Sequence, residues 1–110
     1  MTDTLIPILI PSYDPDVSLS NTIRELREFG LTRIVIVDDG SALTSQEIFN
    51  SLELIDEVEV IHHTLNQGKG AAIKTGLRFI SEKYPDSIGV ITVDGDGQHL
   101  AGDVFRVLSD

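Results

Sequence analysis

The chain contains no cysteine, so it has neither a disulfide framework nor a thiolate metal site, which accords with a reducing compartment. Long apolar runs are also missing: nothing approaches the roughly 20 residues a membrane helix needs. The first residues lack the basic-then-apolar order of a signal peptide. These absences lead us to expect a cytoplasmic chain with no membrane span, working at most at the cytoplasmic face of a membrane. Basic residues are scarce, 8 Lys and Arg against 18 Asp and Glu, for a formal charge of −10. That balance argues against a nucleic-acid partner, whose phosphates are bound largely by Lys and Arg. An anionic small ligand would need a local cation or metal ion to offset the surrounding field. There is no internal repeat, low-complexity tract or linker, so the 110 residues read as one domain or one piece of a domain.

Strand and helix patterns alternate along what is present. Leu5 to Ile10 reads as a buried strand with Pro7 near its start. Pro11-Ser12-Tyr13-Asp14-Pro15 stops it, either as a connecting turn or as a rigid aromatic shelf, because each proline fixes its own φ and restricts its predecessor. Asp16 or Ser18 caps a helix with Leu19, Ile23 and Leu26 on one face, ending at Gly30. Arg33 to Val37 has the Ile- and Val-rich pattern of a strand buried on both faces. It runs into Asp38-Asp39-Gly40-Ser41. Thr44 and Glu47 form a capping-box pattern for a helix through Leu52. Glu57 to Ile61 is a shorter strand with alternating charge, expected at or near an edge. Asn66-Gln67-Gly68-Lys69-Gly70 feeds a helix with Ile73, Leu77 and Ile80 inward, closed by Tyr84-Pro85-Asp86. Ile88 to Val93 is a fourth strand, and Asp103 is placed to cap a last helix cut short by the chain's end.

This β-α-β-α-β-α-β-(α) order predicts an α/β fold: a three-layer, open, mainly parallel, Rossmann-like sheet. Ligands of such sheets bind outside the carboxyl ends of the strands. The polar clusters after the first, second and fourth strands all fall at that edge.

Each cluster permits a small set of chemistries. Asp38 and Asp39 are either turn and cap residues or acceptors for a nucleobase N–H or ribose hydroxyl. Gly68-Lys69-Gly70 fails the P-loop spacing, and Ile73 stands where a dinucleotide fingerprint needs glycine. What remains is a flexible loop with a cation at a helix N-terminus, a setting that favours anions. Lys74 and Arg78 either extend that positive face or are simply solvated. In Val93-Asp94-Gly95-Asp96-Gly97-Gln98-His99, two carboxylates one glycine apart repel unless a cation sits between them. An EF-hand fails because its sixth position is His99 and its twelfth Phe105. Zinc would want more His or Cys, and His62-His63 follow a different strand. Asp-Gly is also a hairpin signal, with Val104 to Leu108 as the returning strand. The preferred alternative is a Mg²⁺ or Mn²⁺ site with a bound diphosphate.

Together, Pro11-Ser12-Tyr13, Val37-Asp38-Asp39-Gly40-Ser41, Asn66-Gln67-Gly68-Lys69-Gly70-Ala71-Ala72 and Asp94-Gly95-Asp96-Gly97-Gln98-His99 resemble the family 2 glycosyltransferases, above all the dolichol-phosphate mannosyltransferase-like branch that makes polyprenyl-phosphate sugars. The resemblance implies a GT-A, nucleotide-diphospho-sugar transferase fold. It implies that Pro11 and Tyr13 line the base pocket, that Asp38 or Asp39 binds base or ribose, and that Lys69 lies near the nucleotide. Asp94 and Asp96 would be the D-x-D element, with Asp94 also facing the substrate, Asp96 the direct metal ligand and Gln98 a further one. A Mg²⁺ or Mn²⁺ ion would bridge the two phosphates of a GDP- or UDP-sugar and stabilise the departing nucleoside diphosphate. The family often has Asn-Glu after the tyrosine where this chain has Asp14-Pro15.

Family domains continue for about as long again, carrying the acceptor site and the acidic general base of an inverting transfer to a lipid phosphate. The resemblance therefore implies that residues 1–110 are an N-terminal nucleotide-sugar-binding part, truncated after the fourth strand, with the base beyond Asp110. Cutting there would expose a strand edge and favour self-association. Two other classes are a response-regulator receiver-like domain and a non-catalytic assembly piece with vestigial loops. In receivers, however, the acidic pair follows the first strand rather than the second.

Overall fold

The computed structural model describes residues 6–87 and 89–93, and the backbone of 105–108. Five strands form one sheet in the order β3-β2-β1-β4-β5. β1 is Ile8–Ser12, β2 Ile34–Asp38, β3 Val58–His62, β4 Gly89–Thr92 and β5 Phe105–Leu108. The helices are α1 (Val17–Glu28), α2 (Gln46–Glu53, entered through a 3₁₀ turn at Leu43–Ser45) and α3 (Lys69–Lys83). β1 to β4 are mutually parallel, and β5 runs antiparallel to β4.

The sheet is covered on both faces because β1 and β2 are apolar at successive positions, and successive side chains point to opposite sides. Ile8, Ile10, Ile34 and Ile36 pack with Leu19, Ile23 and Leu26 of α1 and with Phe49 and Leu52 of α2. Leu9, Val35 and Val37 pack on the opposite face with Ala72 and Ile80 of α3. Each such fully buried aliphatic side chain stabilises the fold by about 1.5–3 kcal/mol. α3 lies close enough to β1 that a Cβ on Gly76 would stand 2.1 Å from Leu9 Cδ1, so any larger residue there would have to displace the end of the Leu9 side chain.

Helix ends follow local chemistry in part. Asp16 caps α1 by accepting from the Ser18 N–H, as its sequence position predicts. Gly30 (φ +84°) closes α1 with Gly30 N–H to Arg27 and Leu31 N–H to Leu26, a Schellman arrangement. The Thr44–Glu47 capping box does not form. α2 starts at Gln46, its cap residue Ser45 makes no capping bond, and the Ser45 hydroxyl instead donates across to Asp14 Oδ1.

The short third strand lies at the edge, as its charge pattern predicts. The expected last helix does not: Phe105–Leu108 is a strand, with Gly89 opposite Leu108 and Thr92 opposite Phe105. Asp103, placed to cap that helix, lies outside the described residues. The returning-strand alternative is the one realised, because β4 offers an unpaired row of backbone donors and acceptors that Phe-Arg-Val-Leu can fill. β5 thereby occupies the β4 edge on which the expectation of self-association rested.

β1 sits at the topological switch point, with β2 and β3 on one side and β4 on the other. The β1–β2 ladder continues to Ser12 and Asp38, whereas the β1–β4 pairing ends at Leu9 and Thr92. Pro11 explains the difference. The Ile91 and Val93 N–H groups donate to the Pro7 and Leu9 carbonyls, so residue 11 would supply the next donor toward β4, and proline has none. The β1–β4 ladder therefore ends there, while β1–β2 runs on.

Candidate functional site at the carboxyl edge

Asp38 ends β2 directly beside His62, which ends β3. The next residues, Asp39 and His63, follow the same alternation, so two aspartate–histidine pairs form on opposite faces of the sheet. Asp38 and His62 face α2, and Asp39 and His63 face α3. Asp38 is 1% exposed. Its Oδ1 accepts from the Ser41 N–H at 2.8 Å, and its Oδ2 accepts from Gln46 Nε2 at 3.2 Å and faces His62 Nδ1 at 2.7 Å. His62 Nε2 lies 3.0 Å from Glu53 Oε2.

Asp39 is 4% exposed. Its Oδ1 faces His63 Nδ1 at 2.8 Å and accepts from the Gln67 N–H at 2.9 Å. Its Oδ2 accepts from Asn66 Nδ2 at 3.0 Å and the Gly68 N–H at 2.8 Å. A carboxylate offers about four acceptor directions, and here the protein fills all four. His63 Nε2 continues to Thr75 Oγ1 on α3 at 2.8 Å. The loop read as flexible from Gly68-Lys69-Gly70 is thus tied to β2 through Asn66, Gln67 and Gly68. The anion-favouring setting before α3 already holds the protein's own carboxylate.

Burial works against ionising both aspartates, but hydrogen bonds from His62, Ser41 and Gln46 on Asp38, and from His63, Gln67 and Gly68 on Asp39, outweigh it and hold both below the usual carboxylate range. Burial likewise opposes charging His62. The bonds and charges of Asp38 and Glu53 outweigh that and raise it above its ordinary value. The carboxylates therefore contribute stability above an unfolded pKa of about 3.9, lost as pH falls through their lower folded values. His62 contributes stability that is complete below about 6.5 and lost as pH rises through its higher folded value. Thermal melts across pH should peak on the weakly acidic side, and the alkaline decline should flatten in His62→Gln.

Asp14 does what local sequence did not suggest. Its backbone is left-handed (φ +47°), a region Asp tolerates better than most residues. Its N–H donates to Ser41 Oγ at 2.8 Å, and its Oδ1 accepts from the Ala42 N–H at 2.8 Å. It joins the loop after β1 to the loop after β2.

Pro11, Tyr13, Asp38, Asp39 and Lys69 all lie at the carboxyl edge of the parallel strands. Tyr13 is exposed, Pro11 half-buried, and Lys69 is the exposed first residue of α3. Asp94, Asp96 and Gln98 lie outside the described residues; buried Val93, just before them, follows β4 at the same edge. Among the described residues, no group of three His, Asp or Glu side chains is arranged to hold a metal ion. The reading of single segments missed His62, His63, Gln46 and Asn66. The available signal was register: pairing the second and third strands sets Val-Asp-Asp beside Ile-His-His.

The open, mainly parallel α/β sheet with polar loops gathered at its switch point is, by its likeness to solved structures and its family match, a fold of the GT-A class. The chain belongs to a particular family within it: the description "Glycosyl transferase family 2" matches residues 8–109. It is 32% identical over 121 residues to the UDP-N-acetylglucosamine–dolichyl-phosphate N-acetylglucosaminyltransferase of Methanococcus voltae, covering 98% of this chain and 47% of that protein. It is 24% identical over 107 residues to glycosyltransferase AglJ of Haloferax volcanii, covering 97% of this chain and 32% of AglJ. Among solved structures it resembles Staphylococcus aureus TarS in fold, with a TM-score of 0.63 at 18% identity over 83% of this chain and 16% of TarS. The chain spans less than half the length of these relatives.

Proposed function

We propose that residues 1–110 are the N-terminal nucleotide-sugar-binding part of a glycosyltransferase that passes a sugar, with inversion, from a UDP- or GDP-sugar to a polyprenyl phosphate. Membership of family 2 supports sugar transfer and removes the receiver-like alternative. The dolichyl-phosphate acceptor and UDP-linked donor in the name of the Methanococcus voltae relative support the substrate classes. The observation that carries the site is the gathering of Pro11, Tyr13, Asp38, Asp39 and Lys69 at the carboxyl edge around the switch-point strand β1.

In this proposal Pro11 and Tyr13 line the base pocket. Asp38, held by His62, the Ser41 backbone and side chain and Gln46, accepts a base N–H or ribose hydroxyl in place of the Gln46 amide, its longest contact. Asp39 has none to spare and serves by holding the loop that presents Lys69 near the nucleotide. Asp94, Asp96 and Gln98 offer the oxygen ligands that suit Mg²⁺ or Mn²⁺, with Asp94 also facing the donor. Such an ion supplies Lewis-acid stabilisation of the departing diphosphate. The acidic general base belongs to sequence after Asp110, and a lipid-phosphate acceptor places the work at the cytoplasmic face of a membrane. Among the described residues no helix is long and apolar enough to cross one.

Calorimetry with UDP-N-acetylglucosamine, UDP-glucose and GDP-mannose, with and without Mn²⁺, tests this. Binding should require the metal, and Asp96→Ala should weaken it at least about tenfold, or 1.4 kcal/mol. Absence of binding to every nucleotide sugar would replace the proposal with an assembly piece carrying vestigial loops.

A further inference from the structure

The two histidines have second partners of different kinds. His63 lies between the Asp39 carboxylate and the Thr75 hydroxyl, both at 2.8 Å. A neutral imidazole satisfies both, donating from Nδ1–H and accepting at Nε2, because a hydroxyl can donate. His62 lies between two carboxylates, Asp38 at 2.7 Å and Glu53 at 3.0 Å. An ionised carboxylate only accepts, and a neutral imidazole carries one N–H. The neutral ring would therefore set a nitrogen lone pair against a carboxylate oxygen. Only the imidazolium, with two N–H groups, serves both contacts.

Among the described residues, the surroundings of His62 add no competing charge. β2 contributes Asp38, and α2 contributes Glu53 together with the uncharged Gln46 amide and the Phe49 ring, which meets His62 edge-on at 5.8 Å. On β3 itself, Glu59 points to the other face and pairs with Lys83 of α3. The His62 side chain is 39% exposed, so its proton exchanges with solvent.

We propose that His62 is a protonated positioning residue: as an imidazolium bridging Asp38 to Glu53 it sets the direction of the Asp38 carboxylate, and it makes donor affinity depend on pH. The inference rests on the reading of Asp38 as a nucleotide contact. When pH rises, the Nε2 proton leaves to solvent and the Glu53 contact is lost. Nδ1–H stays on Asp38, now held by a neutral ring no longer anchored to α2. The site also loses one positive charge that favours an anionic donor. Both changes weaken donor binding on the alkaline side.

The test joins imidazole NMR to calorimetry with UDP-N-acetylglucosamine and Mn²⁺, a donor whose diphosphate does not titrate between pH 5.5 and 8.5. His62 should titrate above about 6.5, and Glu53→Gln, an exposed and structurally mild change, should lower that midpoint. Wild-type affinity should fall about three- to tenfold across the same midpoint. His62→Gln, neutral but with an amide that can still donate to Asp38, should bind within about threefold of the wild-type alkaline value at every pH and lose the inflection. An ordinary His62 midpoint that Glu53→Gln leaves unmoved would overturn the inference, as would an inflection that survives in His62→Gln. If no nucleotide sugar binds at all, the functional proposal fails separately. The ¹³C shift of the Asp38 carboxyl then decides: tracking the His62 midpoint sustains the bridge, and silence removes it.

Discussion

Gly40→Ala should cost about 3–5 kcal/mol, enough to leave a domain of ordinary stability partly unfolded near 37 °C. Two penalties combine at this position. Its φ of +74° is left-handed, which costs an L-residue about 1–2 kcal/mol. A Cβ there would also stand 2.3 Å from Asn66 N, 2.4 Å from Leu65 C and 2.9 Å from Asn66 Cα. Those are backbone atoms, so no side-chain rotation relieves the overlap. The 65–66 backbone cannot easily withdraw either, because Asn66, Gln67 and Gly68 are all bonded to Asp39. At about 4–8 °C per kcal/mol for a domain of this size, the melting temperature should fall by at least 12 °C, roughly. Gly70→Ala is the matched control. Gly70 lies in the first turn of α3 with open space around it, so alanine should be neutral or stabilising by about 0.5–1 kcal/mol. Circular-dichroism melts of the two variants decide the point; a Gly40→Ala melt within a few degrees of wild type would refute it.

Asp39→Ala should be the second most damaging change, at about 2–4 kcal/mol. It removes the acceptor for four donors: His63, Asn66 and the Gln67 and Gly68 amides. Water can reach part of the exposed loop, but the His63 side chain is 8% exposed and would keep a buried, unpaired Nδ1. Asp39→Asn should also destabilise, because its amide nitrogen must face donors on one side. Hydrogen exchange at Gln67 and Gly68 should accelerate in both variants, and urea titration gives the stability loss. Were Asp39 chiefly a base or ribose contact, Asp39→Ala would lower nucleotide affinity and leave the urea midpoint in place.

These expectations separate the acidic pair into two roles, which its sequence alone could not do. Asp38 and Asp39 are neighbours of one chemical type, and the resemblance allowed either to meet the nucleotide. Their difference comes from the pleat: one carboxylate turns toward α2 and meets His62, Ser41 and Gln46, and the other turns toward α3 and holds the 66–68 loop. The Gly68-Lys69-Gly70 loop was misread for a related reason. Glycines mark conformational freedom in an isolated segment, but Gly68 owes its order to a carboxylate 29 residues earlier. The final segment was misread because Val104 to Leu108 suits either a short helix or a strand. The open edge of β4 selected the strand.

Composition and periodicity alone were sufficient for the elements that depend on neighbours in sequence. The Ile- and Val-rich runs made strands buried on both faces, Asp16 and Gly30 bounded α1, and charge on the third strand put it at the edge. The alternation of strand and helix also set Pro11, Tyr13, Asp38, Asp39 and Lys69 at the carboxyl edge of the parallel strands. Tertiary structure decided the partners. Pairing of Asp38 with His62, and so of Asp39 with His63, follows from the β2–β3 register. Register is set by core packing between segments about two dozen residues apart, where local pattern carries no information. The same packing brings Gly40 against Asn66 and lets Pro11 end the β1–β4 ladder, so the end of that ladder at the switch point belongs to the assembled sheet rather than to any one stretch of chain.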